Sequence, residues 1–224
     1  MIIAIDGPAG AGKSTVARAV ASRIGAGYLD TGAMYRALTV VALRQGLDVR
    51  DGAALAALAS DTRIDLERIG DGGLVVRVDG EDVTDAIRAA EVTDGVSAVA
   101  AHGAVRERMV ARQREILSAG GWVADGRDLG TTVVPGAEVK VFLTATLDAR
   151  AARRAVDLGP GVALAEVREA VKMRDQLDST RAQSPLRQAD DAHVIDSTDM
   201  TAEEVVDAVV ALAESARAAP GAAT

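Results

Sequence analysis

The stretch MIIAIDGPAGAGKSTVARAV at the head of the chain leaves few folds open. Residues 2–5 are a short continuous apolar run, and from Ser14 onward Val16, Ala17, Val20, Ala21 and Ile24 recur with helical period until Gly25. The bend between this strand and helix reads Gly7-x-x-x-x-Gly12-Lys13-Ser14, which fits the pattern G-x-x-x-x-G-K-[ST] at each fixed position. Glycines allow successive N–H groups to turn into one concavity, and the helix that follows adds the positive end of its dipole; together they hold phosphate oxygens. The residues expected to bind the nucleoside triphosphate are therefore Gly7, Pro8, Ala9, Gly10, Ala11, Gly12, Lys13, Ser14 and Thr15. Lys13 is the expected catalytic bridge between β- and γ-phosphates, and the Ser14 hydroxyl the expected protein ligand of Mg2+. The pattern specifies a nucleoside triphosphate and says little about its use.

Further apolar strands are predicted at 27–30 (GYLD), 122–125 (WVAD), 139–143 (VKVFL) and 193–196 (HVID). Helical patterns at roughly 33–45, 53–60, 91–101, 104–119, 148–157, 162–176 and 201–218 separate them. This alternation predicts a P-loop α/β protein, a three-layer α/β/α fold on a five-stranded parallel sheet whose ligands gather at the carboxyl ends of the strands. Between Arg63 and Gly80, RIDLERI and LVVRVDG change to a two-residue period and are joined by GDGG, the pattern of a hairpin. A parallel sheet has no need of it, so it is read as part of a β-rich lobe, about 31–100, inserted in a single domain over 1–224. The tail PGAAT reads as disordered.

Composition narrows the classes. No apolar run approaches the ~20 residues a membrane helix requires. The N-terminus lacks a basic start and a cleavage site, and Asp6 interrupts its apolar run, so no signal peptide is expected. With no cysteine there is neither a disulfide nor a thiolate metal site, in keeping with an expected cytoplasmic location. A net charge of −8 argues against a nucleic-acid polymer as partner while allowing a small anion. Against that background, Arg150 to Arg187 carries seven arginines and one lysine against five acids. A solvated helical face would account for it. So would an arginine-rich lid at about 150–172, broken by LGPGV, because arginines closing over a phosphoryl group stabilise the charge of its transition state. Arg153 is the residue of that lid expected to be catalytic.

Two more segments leave predicted strand ends. LDTGAMYR offers Thr31, either a helix N-cap or a ligand-facing hydroxyl, and Arg36, either a surface residue or an anion ligand. ADGRDLG offers Asp125 at the end of a buried strand near the P-loop, the place of a carboxylate that orients Mg2+ through water. The following Arg127 and Asp128 form either a salt bridge with each other or a ligand-facing pair. His102 and His193 need no catalytic role.

With IDGPAGAGKST, LDTGAMYR, VSAVAAHGAVRERMVARQR, VADGRDLGT, KVFLTAT and MRDQLDSTRAQSPLRQADDAHVIDST assembled, the chain resembles bacterial cytidylate kinases, of the nucleoside monophosphate kinase group, over nearly its whole length. The resemblance implies transfer of the γ-phosphoryl group of MgATP to CMP, with dCMP also used, and makes the inserted lobe part of the monophosphate-binding region. It implies that Arg36, Arg127 and Arg181 meet the CMP phosphate, with Thr31 standing where the family often has Ser. Ser97, Arg106 and Asp128 would meet cytosine, and Arg174 and Asp178 the ribose. Base chemistry agrees, because the cytosine N4 amine asks for a carboxylate while N3 and O2 ask for donors. A chain with one Trp, two Tyr and one Phe has few rings on which to stack a base. The expected partners are ATP, CMP and dCMP, without a membrane, and the expected state is a monomer. The rivals are a small kinase for adenylate or for a metabolite such as shikimate, and a nucleotide-dependent switch. The GRD triplet with the hairpin insertion speaks against the first, the absence of an N-K-x-D segment against the second.

Overall fold

Ile3, Ala4 and Ile5 have no solvent exposure, which requires β1 (Ile2–Asp6) to run through the middle of a sheet covered on both faces. In the computed structural model, which describes residues 1–69 and 73–218, β1 lies between β6 (Trp122–Gly126) and β7 (Val139–Thr144) and is parallel to both. β2 (Gly27–Asp30) lies outside β6, and β8 (His193–Asp196) runs parallel to β7, giving the order β2-β6-β1-β7-β8. The register sets Asp6 opposite Gly126 on one side and Phe142 on the other, so β1 and β6 end level at their carboxyl ends while β7 runs on to Thr144. The five strands fall where sequence periodicity set them.

Two compact units divide the chain, Met1–Tyr28 with Gly120–Thr224, and Leu29–Ala119. In the first, α1 (Lys13–Ile24) buries Val16, Ala17, Val20 and Ala21 and packs on β6 and on α8 (Ala202–Ala218). It ends at Gly25, whose left-handed backbone returns its N–H to the carbonyls of Ala21 and Ser22. α6 (Leu147–Leu158) and α7 (Leu164–Thr180) pack together, burying Ala151, Val167 and Val171 with Ala9 of the glycine loop.

The second unit contains the expected lobe and extends beyond it. Here α2 (Thr31–Arg44) packs on α4 (Ala90–Ala101), and α3 (Gly52–Asp61) on α5 (Gly103–Leu117). His102, between α4 and α5, sets its Nε2 at 2.9 Å from the Val49 carbonyl, a structural contact. The predicted hairpin is formed by β3 (Ile64–Ile69) and β4 (Gly73–Val78), antiparallel, with Leu66 opposite Val76. A two-residue β5 (Glu81–Asp82) adds a third strand that the sequence pattern did not show, being too short to display a period. Residues 70–72 of the expected GDGG turn, and the tail PGAAT, lie outside the described residues. Among the described residues no helix is long and apolar enough to cross a membrane.

The turn out of β1 depends on one missing side chain. A Cβ on Gly7 would stand 2.0 Å from the carbonyl oxygen of Leu143 in β7, and neither backbone can yield without breaking the sheet. At Gly25, also at positive φ, a Cβ would meet nothing within 4 Å. Gly25→Ala should therefore cost only the left-handed strain of roughly 1–2 kcal/mol, a fall of a few degrees in Tm. Gly7→Ala should lower Tm far more or abolish folding, and equal melting of the two variants would contradict this packing.

Candidate active site

The glycine loop is built to present bare N–H groups. Gly12 at φ 88° starts α1 with no side-chain cap and no acid in the first turn, so the helix N-terminus keeps donors for an anion. Lys13 is buried, and its Nζ donates to the Pro8 carbonyl at 2.8 Å. Burial pushes its ammonium down to about 7; Arg127 and Arg174 push the same way, and Asp125 and Asp178 oppose them. The charges in the field of Lys13 thus come from the end of β6, with Arg127 just beyond it, and from α7.

Ser14 Oγ donates to Asp125 Oδ2 at 2.8 Å, and Asp125 Oδ1 accepts the Tyr28 hydroxyl at 2.9 Å. Among the described residues no group of three or more His, Cys, Asp or Glu could hold a metal ion. Two hard oxygen donors, one neutral and one anionic, fit Mg2+, which keeps most of its water and arrives with the phosphates of its nucleotide. Ser14 and Asp125 are the residues that would hold it.

Behind them, Asp6 accepts the N–H groups of Leu129 at 2.9 Å and Gly130 at 2.7 Å. Both belong to a single π-helical turn, Leu129–Val133, which follows the buried Asp128. Arg127 reaches α7. Its Nε donates to Asp178 Oδ2 on α7 at 2.8 Å. Asp178 also faces Arg181, whose Nη1 lies 3.7 Å from Oδ1, and feels the charge of Arg174. Burial works against the Asp178 carboxylate, but the three guanidinium groups outweigh it and hold its carboxyl below the usual range. Four residues expected from sequence to meet one nucleotide are therefore gathered together.

Two arginines of the basic island are engaged by partners within the protein. Arg150 is no solvated or mobile arginine: it is buried and donates to the carbonyls of Ala145 and Ala9, both at 2.9 Å, and to the Asp175 carboxylate. Asp175 in turn accepts the Ala9 N–H at 2.9 Å, so both backbone groups of Ala9 are clamped from α6 and α7. Arg153, expected over the transferring phosphate, instead donates to Ser197 Oγ at 3.0 Å and to the Ser197 carbonyl, just after β8. Neither arginine is a freely exposed lid residue in this arrangement.

In the second unit, Asp30 rather than Thr31 caps α2, accepting the Ala33 N–H at 2.8 Å; Thr31 is buried as the first helical residue. Arg36 donates to Thr93 Oγ1 at 3.0 Å and to the Ile87 carbonyl at 3.3 Å. Arg106 is buried with its guanidinium 5.4 Å from the centre of the Tyr35 ring, and Ser97 is half-buried on α4. The sequence reading missed Tyr28, Asp6 and Asp175, each a polar side chain in or beside a buried element, which is the one signal that marked them.

A family model described as cytidylate kinase matches residues 3–215. The chain belongs to the cytidylate kinase family. It is 53% identical over 206 residues to the cytidylate kinase of Geobacillus thermodenitrificans (strain NG80-2), a match covering 91% of this chain and 92% of that protein. It is 54% identical over 212 residues to a bifunctional pantoate ligase/cytidylate kinase of Synechococcus sp. (strain CC9311), covering 93% of this chain; the chain spans 43% of the length of that relative. A gluconokinase from Sinorhizobium meliloti 1021 shares the fold at 16% identity, with a TM-score of 0.50 over 96% of this chain and 93% of that one.

Asp6 gives this family member a pH signature. Burial, with help from Asp128, pushes its carboxyl up to about 6, against the Gly130 and Leu129 N–H groups and the charge of Lys13. The folded protein then holds a proton that the unfolded chain has released, and the stability contributed by this group falls as pH rises from about 4 to about 6. Relative to the parent, Asp6→Asn should gain on the order of 1–3 kcal/mol in urea unfolding between pH 4 and pH 7, whatever constant offset the lost acceptor introduces. A difference that does not vary with pH would show that Asp6 does not titrate there.

Proposed function

We propose that the protein transfers the γ-phosphoryl group of MgATP to CMP, and to dCMP, giving ADP and the diphosphate. The observation that carries the reading is the cluster of Arg127, Arg174 and Arg181 around Asp178, in the same unit as the glycine loop and within the field of Lys13. A phosphate oxygen is already an anion, so the acceptor needs no general base, and catalysis rests on alignment and on stabilising spread charge. Bare N–H groups of the glycine loop and Lys13 hold the β- and γ-phosphates. Arg127 and Arg181 hold the acceptor phosphate, while Asp178, relieved of part of their charge, turns with Arg174 to the ribose. Mg2+ at Ser14 and Asp125 would neutralise the triphosphate. Arg153 would join them only by exchanging Ser197 for a phosphate oxygen.

Cytosine as the base is supported by family membership and by the name of the Geobacillus relative. On this reading Asp128, buried at the start of the turn that Asp6 fixes, accepts the N4 amine. Thr31, Arg36, Ser97 and Arg106 keep their nucleotide-binding roles as proposals carried by the resemblance. The protein would work in the cytoplasm as a monomer on free nucleotides.

ADP release measured with CMP, UMP, AMP and shikimate in turn tests the reading. CMP should be used best, and Asp128→Asn, whose amide can face either pyrimidine, should lower the CMP-to-UMP ratio of kcat/KM by ~10-fold, mostly through loss on CMP. ATP hydrolysis indifferent to CMP would favour a nucleotide switch. A ratio unchanged while both substrates decline would remove Asp128 from base recognition.

A further inference from the structure

Asp125 has two carboxylate oxygens, and each is held by a hydroxyl from a different element of the first unit. Ser14, in the first turn of α1, donates to Oδ2, and Tyr28, from β2, donates to Oδ1. The Tyr28 side chain is buried at 6% exposure, and the Arg18 guanidinium sits 5.7 Å from the centre of its ring. Tyr28 lies in neither the glycine loop nor the DGRD segment, and phosphoryl transfer as described above gives it no task.

A serine hydroxyl has one hydrogen to give and two lone pairs to offer. While Ser14 gives its hydrogen to Asp125, its lone pairs are directed elsewhere and stay available to a cation. The direction of that bond depends on the plane of the Asp125 carboxylate, which turns freely about its last side-chain torsion unless the second oxygen is also fixed. The Tyr28 phenol fixes it, from a ring that is buried and has the Arg18 guanidinium against it.

We propose that Tyr28 is a positioning residue for the metal-bound nucleotide: by anchoring Oδ1 of Asp125 it sets the Ser14 hydroxyl in the orientation that receives Mg2+. The inference rests on the reading of the site as one for MgATP, and it concerns how the metal is held, independently of which acceptor is phosphorylated. Partners that act on a metal site through its ligands are typically worth ~10–100-fold in metal affinity.

Tyr28→Phe removes the hydroxyl and leaves the ring over which Arg18 lies. Calorimetry with a non-hydrolysable ATP analogue, with and without Mg2+, on the full chain gives the test. The metal-free affinity should stay within about twofold of the parent, and the factor by which Mg2+ tightens binding should fall by ~10-fold. Asp125→Asn should lose at least the same Mg2+-dependent factor, and adding Tyr28→Phe to it should cause little further loss, because the phenol acts through the carboxylate. The proposal is overturned if Tyr28→Phe retains the parent's Mg2+ factor, or weakens the analogue equally with and without metal. Should Tyr28→Phe fail to fold, an Asp125→Asn variant that melts normally and keeps the full Mg2+ factor overturns it as well. Because CMP is absent from these measurements, failure of the acceptor assignment leaves their outcome unchanged.

Discussion

The level ending of β1 and β6, with β7 running alongside and past them, is the constraint from which the rest follows. Parallel pairing sets Asp6 beside Gly126 and Phe142, so the glycine loop and the DGRD segment leave neighbouring strands at one height. That arrangement leaves no room for a side chain at Gly7, whose missing Cβ would fall on the Leu143 carbonyl. It also brings Asp6, Lys13, Asp125 and Asp128, all buried, onto a few residues of chain at the ends of two strands. Charges buried this way are tolerated only when hydrogen-bonded or paired. Asp6 has its two N–H donors, Lys13 its carbonyl and Asp125 its two hydroxyls.

Such a site is organised by contacts among its own residues. Asp178 holds arginines that would otherwise repel one another, and the Arg150–Asp175 clamp fixes both backbone groups of Ala9. Groups already oriented toward developing charge need little rearrangement when the reaction occurs, which is where electrostatic catalysis gains most. Exchange of the Asp178 contact for a phosphate would replace one anion by another and leave the arginines compensated.

Much of this was legible in the chain. The continuous apolar runs gave every strand of the main sheet, and the glycine loop declared itself by fixed spacing between strand and helix. Local chemistry was less decisive where two neighbours compete: Asp30 and Thr31 are both good helix caps, and the carboxylate took the bond. What stayed hidden is pairing across long sequence separation. Nothing near Arg150 announces Ala9 or Asp175, nothing near Arg153 announces Ser197, and Tyr28 meets Asp125 only because β2 borders β6. The same arginine spacing serves a lid or a clamp, and only the fold decides between them.

The central claim is that the glycine loop and the Arg127–Asp178 cluster form one phosphoryl-transfer centre. A crystal structure with a bisubstrate analogue, cytidine and adenosine joined by a phosphate chain, addresses it directly. The account predicts the chain's phosphates on the backbone N–H groups of the glycine loop and on Lys13, with Arg127 released from Asp178 onto a phosphate at the cytidine end. An analogue bound with its phosphates on the loop while Arg127 stays on Asp178 and contacts no phosphate would contradict it.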